Sequence, residues 1–168
     1  GDENFCAKAY AGYYSDHCDW PIENGKPIAF APNPGFDLNA RRDAFFNHLN
    51  EATEQGAAIL LLPELTMTQD LVSAIIADLV RRSTDDKQCP LIMPGTFHAQ
   101  VGAKRRNRAV VLSGTGEILI SQFKLKPFVE ESFNEGIDPG EHISILLTPI
   151  GPLAVFICRD FCDDEHPE

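Results

Sequence analysis

Residues 155–160 read Val155-Phe156-Ile157-Cys158-Arg159-Asp160, an apolar, strand-like run that delivers a thiol at its end. Two earlier segments have the same design. Leu61-Leu62-Pro63-Glu64-Leu65 delivers a carboxylate, and Gln122-Phe123-Lys124-Leu125-Lys126-Pro127 delivers an amine. Strands of one sheet that end on the same side bring such side chains together. A carboxylate, an amine and a thiol in one place make a nucleophilic hydrolase site, because the thiol can form a covalent intermediate if a neighbouring base takes its proton.

The elements between these segments alternate. Lys26 to Ala31 reads as a short strand ending at Pro32-Asn33-Pro34-Gly35. Asp37 is placed as the N-cap of a helix running to about Gln55, with an apolar stripe of Leu38, Phe45, Leu49 and Ala52, and Gly56 ends it. Ala57 to Leu62 is continuously apolar, as in a strand covered on both faces. Leu71, Val72, Ile75, Ile76, Leu79 and Val80 repeat at helical spacing behind Thr68, with Arg81 and Arg82 in the last turn. Leu91 to Met93 is a short strand. Asn107 to Ser113 and Glu117 to Phe123 flank Gly114-Thr115-Gly116 as a hairpin, and Ile143 to Leu147 and Leu153 to Cys158 form a second pair. The fold class is α/β with an antiparallel component.

Composition bounds the function. A chain of 168 residues, 43% hydrophobic, buries one sizeable core. A net charge of −11 argues against general affinity for nucleic acid or anionic membranes. The basic run Lys104-Arg105-Arg106 with Arg108 is too short to reverse that and reads as a solvated loop. No apolar stretch reaches the ~18 residues of a membrane span. Five scattered cysteines, an odd number, form no disulfide framework, and a cytoplasmic setting is expected.

With these residues in view, the chain from about Pro27 to Asp160 resembles the nitrilase superfamily of carbon–nitrogen hydrolases. The blocks that carry the resemblance are Ile28-Ala29-Phe30-Ala31, Glu54-Gln55-Gly56-Ala57-Ala58 leading to Pro63-Glu64-Leu65, Asn107-Arg108-Ala109 with Gly116-Glu117-Ile118-Leu119, Gly136, Thr148 with Gly151, and Ile157-Cys158-Arg159-Asp160. The resemblance implies an αββα sandwich, with residues 1–25 an irregular N-terminal extension and 26–168 the hydrolase-like domain. It implies hydrolysis, or acyl transfer, at a nonpeptide amide-like C–N bond through a cysteine thioester. Cys158 is then the nucleophile, Glu64 the general base and Lys124 the cation beside the oxyanion, with the backbone N–H of Arg159 assisting.

Lys126 sits two residues after Lys124, and strand alternation places it on the same face. A second glutamate that supports the lysine and the substrate is implied at Glu131, with Glu130 competing, in an acidic stretch that also contains Glu135 and Asp138. Asp160 is read as orienting the nucleophile turn. Arg159 stands where the family commonly has an aromatic side chain. It would bind a substrate carboxylate or pair with a local acid such as Asp160. The acidic tail from Phe161 to Glu168 also departs from the family's compact run, so the substrate stays open among amides, carbamoyl compounds, nitriles and glutamine.

The resemblance implies no cofactor and no catalytic metal, and it suggests a homo-oligomer or part of a larger polypeptide. Family members continue well beyond the nucleophile, so the expectation is a fold truncated after the nucleophile strand. Two readings stand beside the hydrolase. One is a catalytically idle scaffold or sensor that keeps the triad. The other is a structural zinc module built on Cys158, Cys162 and His166, with Cys6, His17 and Cys18 as further ligands.

Overall fold

The computed structural model describes residues 37–82, 91–130 and 133–162, and the backbone of four two-residue strands before them. Of these, Cys18–Asp19 pairs with Ala31–Pro32, and Ile22–Glu23 with Lys26–Pro27. The expected strand from Lys26 to Ala31 is thus described only near its two ends. Most of the expected extension over residues 1–25 lies outside the described residues.

Helix α1 spans Leu38–Glu54. Asp37 starts it by accepting the N–H groups of Asn39 and Ala40, each at 3.0 Å, which satisfies two of the donors a helix N-terminus leaves open. Its buried side chains are Phe45, Phe46 and Leu49. Leu38, expected in that stripe, is exposed because it lies in the first turn, before the helix meets its partners. Helix α2, Gln69–Arg82, begins where the Thr68 hydroxyl accepts from Leu71 N at 3.2 Å. Leu71, Val72, Ile75 and Leu79 are buried, whereas Val80 faces solvent. Asp78 on α2 is clamped by Arg42 of α1 and by Arg81, which ties the two helices together.

The main sheet contains β1 (Ile59–Leu61), β2 (Leu91–Met93), β3 (Thr96–Val101), β4 (Lys104–Ser113) and β5 (Ile118–Phe123). β1 and β2 run parallel, and β4 pairs antiparallel with β2, β3 and β5. Side chains alternate across the long strand β4. Val110 and Leu112 pack with the helix residues Phe45, Leu71, Ile75 and Leu79. Ala109 and Val111 point the other way and join Ile120, Val155 and Ile157 in a second cluster. One sheet therefore has helices on one face and a smaller β layer on the other.

Three sequence expectations change here. The basic run Lys104-Arg105-Arg106 is the first part of β4, paired with β3 from Val101↔Lys104 to Ala99↔Arg106, and not a loop. Arg106 is accommodated because its guanidinium lies 5.0 Å from the Phe123 ring centroid and pairs with Glu141. β1 is covered on one face only: Ile59 and Leu61 are exposed, because the cover formed by Val155 and Ile157 lies over Ala109, Val111 and Ile120 instead. The last hairpin is tighter than expected, with β6 (Ile145–Thr148) paired to β7 (Gly151–Ala154) and Thr148 opposite Gly151. Residues 155–157 continue beyond that hairpin unpaired in secondary structure, and Cys158–Phe161 forms a 3-10 turn. Ile145, Leu147 and Ile150 of this hairpin are largely exposed. No helix among the described residues is long and apolar enough to cross a membrane.

Candidate active site

Glu64 stands in a turn that begins where β1 ends. Leu62 N–H still bonds Met93 C=O at 2.9 Å, and then Pro63 breaks the ladder. Leu65, directly after Glu64, has φ 55°, a left-handed conformation that a branched side chain rarely adopts. Tertiary bonds hold it there. The Leu65 N–H donates to the buried Thr96 hydroxyl at 2.8 Å, and the Thr66 hydroxyl donates to Pro63 C=O at 2.8 Å. Gly95 must be glycine to allow this turn. Its φ is 107°, and a Cβ there would run into the Thr66 hydroxyl and sit 2.6 Å from Pro63 O.

Lys124 follows the last residue of β5. Its N–H donates to Asn107 C=O at 2.9 Å, and its own C=O accepts from Gly140 N at 2.7 Å. The backbone is fixed on both sides, and the side chain is 2% exposed. Its ammonium donates to Glu64 Oε1 at 2.9 Å and to Glu135 Oε2 at 2.7 Å. Burial alone would lower the affinity of this amine for its proton, but the charges of Glu64 and Glu135 and their hydrogen bonds outweigh it and raise its pKa. Glu135 is fully buried. Against its burial act His98 at 3.5 Å, Lys124 and the Phe128 N–H at 3.1 Å, which bring its pKa down to about 2. The Lys124 contact, at 2.7 Å, is the shortest of the three.

Cys158 has φ 50°, the second non-glycine residue in the left-handed region among those described. Asp160 holds this turn. Its Oδ2 accepts from Ile157 N at 3.0 Å, and its Oδ1 accepts from Leu125 N and Lys126 N, each at 2.8 Å. The thiol itself is exposed. Partial burial, then the charge of Glu64 and a hydrogen bond to it, push its pKa up, while Lys124 and the Arg159 N–H pull it down. Glu64 and Lys124, taken from two separate segments, are hydrogen-bonded to each other, and the charges of both act on the Cys158 thiol from a third.

Of the two lysines, Lys124 is the one that reaches Glu64. The strand ends at Phe123, so alternation no longer applies at Lys126. That side chain turns away and donates to Cys162 C=O at 2.7 Å. Arg159 donates to Val129 C=O at 2.7 Å. Glu131 lies outside the described residues, and so does the side chain of Glu130. The glutamate paired with Lys124 is Glu135, which the sequence placed in an acidic stretch without marking it. Asn107 stands in a block that carries the resemblance but has no role assigned from the sequence, and nothing in the sequence marks His98. The available signal for Asn107 was a polar side chain at the head of an apolar strand. For zinc, no group of three ligand-type side chains capable of holding a metal ion occurs among the described residues, and His166, Cys6 and His17 lie outside them.

Solved structures share this arrangement of elements. The NitN amidase from Nesterenkonia sp. AN1 matches with a TM-score of 0.57 at 23% identity, over 73% of this chain and 52% of that one. NitFhit from C. elegans matches at 0.55 and 23% identity, over 74% of this chain and 35% of that one. The amidase is described as belonging to the nitrilase superfamily. The chain has the nitrilase fold. A glutamine-dependent NAD+ synthetase from Acinetobacter baumannii shares it, at a TM-score of 0.56 and 18% identity, over 73% of this chain and 25% of the synthetase. No protein-family model and no curated protein sequence matches the chain. It spans about half the length of the amidase, so the nitrilase fold is matched over that part.

Proposed function

We propose that this chain carries the catalytic groups of a carbon–nitrogen hydrolase acting on a small amide, carbamoyl compound or nitrile. The observation that carries the reading is the Lys124 ammonium held 2.9 Å from Glu64 and 2.7 Å from Glu135, beside a cysteine in a left-handed turn. Support also comes from the amidase neighbour, mutants of which with one glutamate replaced are described as carrying acrylamide, or the acetamide moiety of fluoroacetamide, added covalently at the active-site cysteine.

The resting nucleophile is a protonated thiol, since its pKa is raised. Attack therefore requires proton transfer. Glu64 takes the Cys158 proton as sulfur bonds to the carbonyl carbon, and the carbonyl oxygen becomes an oxyanion. Lys124 has three ammonium protons, of which two go to Glu64 and Glu135; the third stabilises the oxyanion together with the Arg159 N–H. Collapse breaks the C–N bond, and Glu64 returns its proton to the departing nitrogen. Water then attacks the thioester with Glu64 again as base, releasing the acid and the free thiol. Glu135 keeps Lys124 charged and in place. On the resemblance, the same reading includes a homo-oligomer, and on the cysteine pattern a cytoplasmic setting.

The test is a panel of amides, carbamoyl compounds, nitriles and glutamine, read by ammonia release and by an acyl adduct on intact protein. An adduct mapped to Cys158 and lost in Cys158→Ala is the expected result. Turnover in Cys158→Ala, or an adduct elsewhere, overturns the reading.

A further inference from the structure

We propose that Asn107 is a positioning residue that fixes which oxygen of Glu64 takes the proton of Cys158. This deepens the hydrolase reading and rests on it.

Asn107 lies in β4 on the same face as Ala109 and Val111, the face covered by Val155 and Ile157 rather than by the helices. It is fully buried. Its Nδ2 donates to Glu64 Oε1 at 2.8 Å and to Glu135 Oε1 at 2.7 Å. Both partners are carboxylates that also accept from the Lys124 ammonium, so the amide turns its NH2 toward them. Its backbone C=O accepts from Lys124 N at 2.9 Å. One residue therefore holds the base, the lysine and the second glutamate at once.

The two oxygens of Glu64 differ as a result. Oε1 accepts from Asn107 and from Lys124, at 2.8 and 2.9 Å. Both donors engage Oε1 and neither engages Oε2, which is then the oxygen that takes the thiol proton. A neutral amide suits this task. A cation at the same place would cancel the charge of the base, and a carboxylate would repel it. The arrangement has a cost that a purely structural residue would avoid, because Asn107 Oδ1 is buried without a hydrogen-bond partner among the described residues. An aliphatic side chain of the same size would leave no such orphan.

The test uses iodoacetamide on the native protein, with labelling of Cys158 followed by peptide mass spectrometry between about pH 6 and pH 10. Wild type, Asn107→Leu and Asn107→Ser are compared, with thermal unfolding measured in parallel. Base-assisted labelling near pH 7 should fall at least about tenfold in Asn107→Leu, while labelling at the alkaline end, where the thiol ionises unaided, stays at the wild-type rate. Asn107→Ser, which keeps one donor, should lie between. A merely structural role would move the melting temperature and leave the ratio of neutral to alkaline labelling unchanged. That unchanged ratio, in whichever variant folds, overturns the proposal. If wild-type Cys158 labels no faster than Cys162 at pH 7, the hydrolase reading falls and this inference falls with it. A wild-type Cys158 that is fast, with equally fast Asn107 variants, overturns this inference alone.

Discussion

The Asp160 carboxylate accepts the Leu125 N–H at 2.8 Å, which joins the turn carrying Cys158 to the loop carrying Lys124. Three backbone donors converge on this one side chain, since Lys126 N and Ile157 N also bind it. Asp160→Asn replaces one accepting oxygen with a donor that faces N–H groups. It should lose about 1–3 kcal/mol of stability and slow Cys158 alkylation together, measured by urea unfolding and by iodoacetamide labelling. A change in one without the other would separate the turn from the lysine loop.

Lys124→Met leaves Glu64 and Glu135 buried and facing each other without their cation. The expected loss is about 3–5 kcal/mol at neutral pH, with activity down by at least ~10²-fold. Lys126→Met removes an exposed hydrogen bond to Cys162 C=O and should change stability by about 1 kcal/mol or less and keep turnover. The reverse pattern would assign the site to the other lysine.

The pH dependence has a definite sign. Glu135 is depressed to about 2 in the folded protein, against an ordinary value of about 4.3. It binds fewer protons folded than unfolded in that window, so its contribution to stability is present above about 4.3 and lost as pH falls toward about 2. Denaturant midpoints measured across this range should fall steeply in wild type and less steeply in Glu135→Gln. Equal slopes would mean Glu135 is not charged in the folded site.

Glu64→Gln should act on the nucleophile in two opposite ways. Removing the base abolishes amide turnover. Removing its negative charge also removes one of the causes that raise the Cys158 pKa, so the alkylation titration should move to lower pH. A midpoint that stays or rises would show that Glu64 does not face the thiol.

Gly95→Ala tests the Glu64 turn from behind. The added methyl meets Pro63 O and the Thr66 hydroxyl at a left-handed φ. Stability should fall by about 2 kcal/mol or more, and the Cys158 alkylation titration should move to lower pH as in Glu64→Gln, because the displaced Glu64 no longer raises the thiol pKa.

The sequence by itself determined the two helices, because capping residues and apolar spacing are local: Asp37 and Thr68 sit where the chain starts each helix. It also determined that Glu64, Lys124 and Cys158 lie at the ends of apolar runs, since a polar residue after such a run marks where a strand gives out. What it left open was decided by partners far along the chain. Lys124 and not Lys126 reaches Glu64 because β5 stops at Phe123 and Asp160, over thirty residues away, shapes the bend that follows. Lys104 to Arg106 become strand because Thr96–Val101 offers them a ladder. Glu135 and Asn107 became visible only in three dimensions. Their local sequence is an acidic loop in one case and the interior of a strand in the other, and their place comes from burial around a shared ammonium and carboxylate, which no periodicity records.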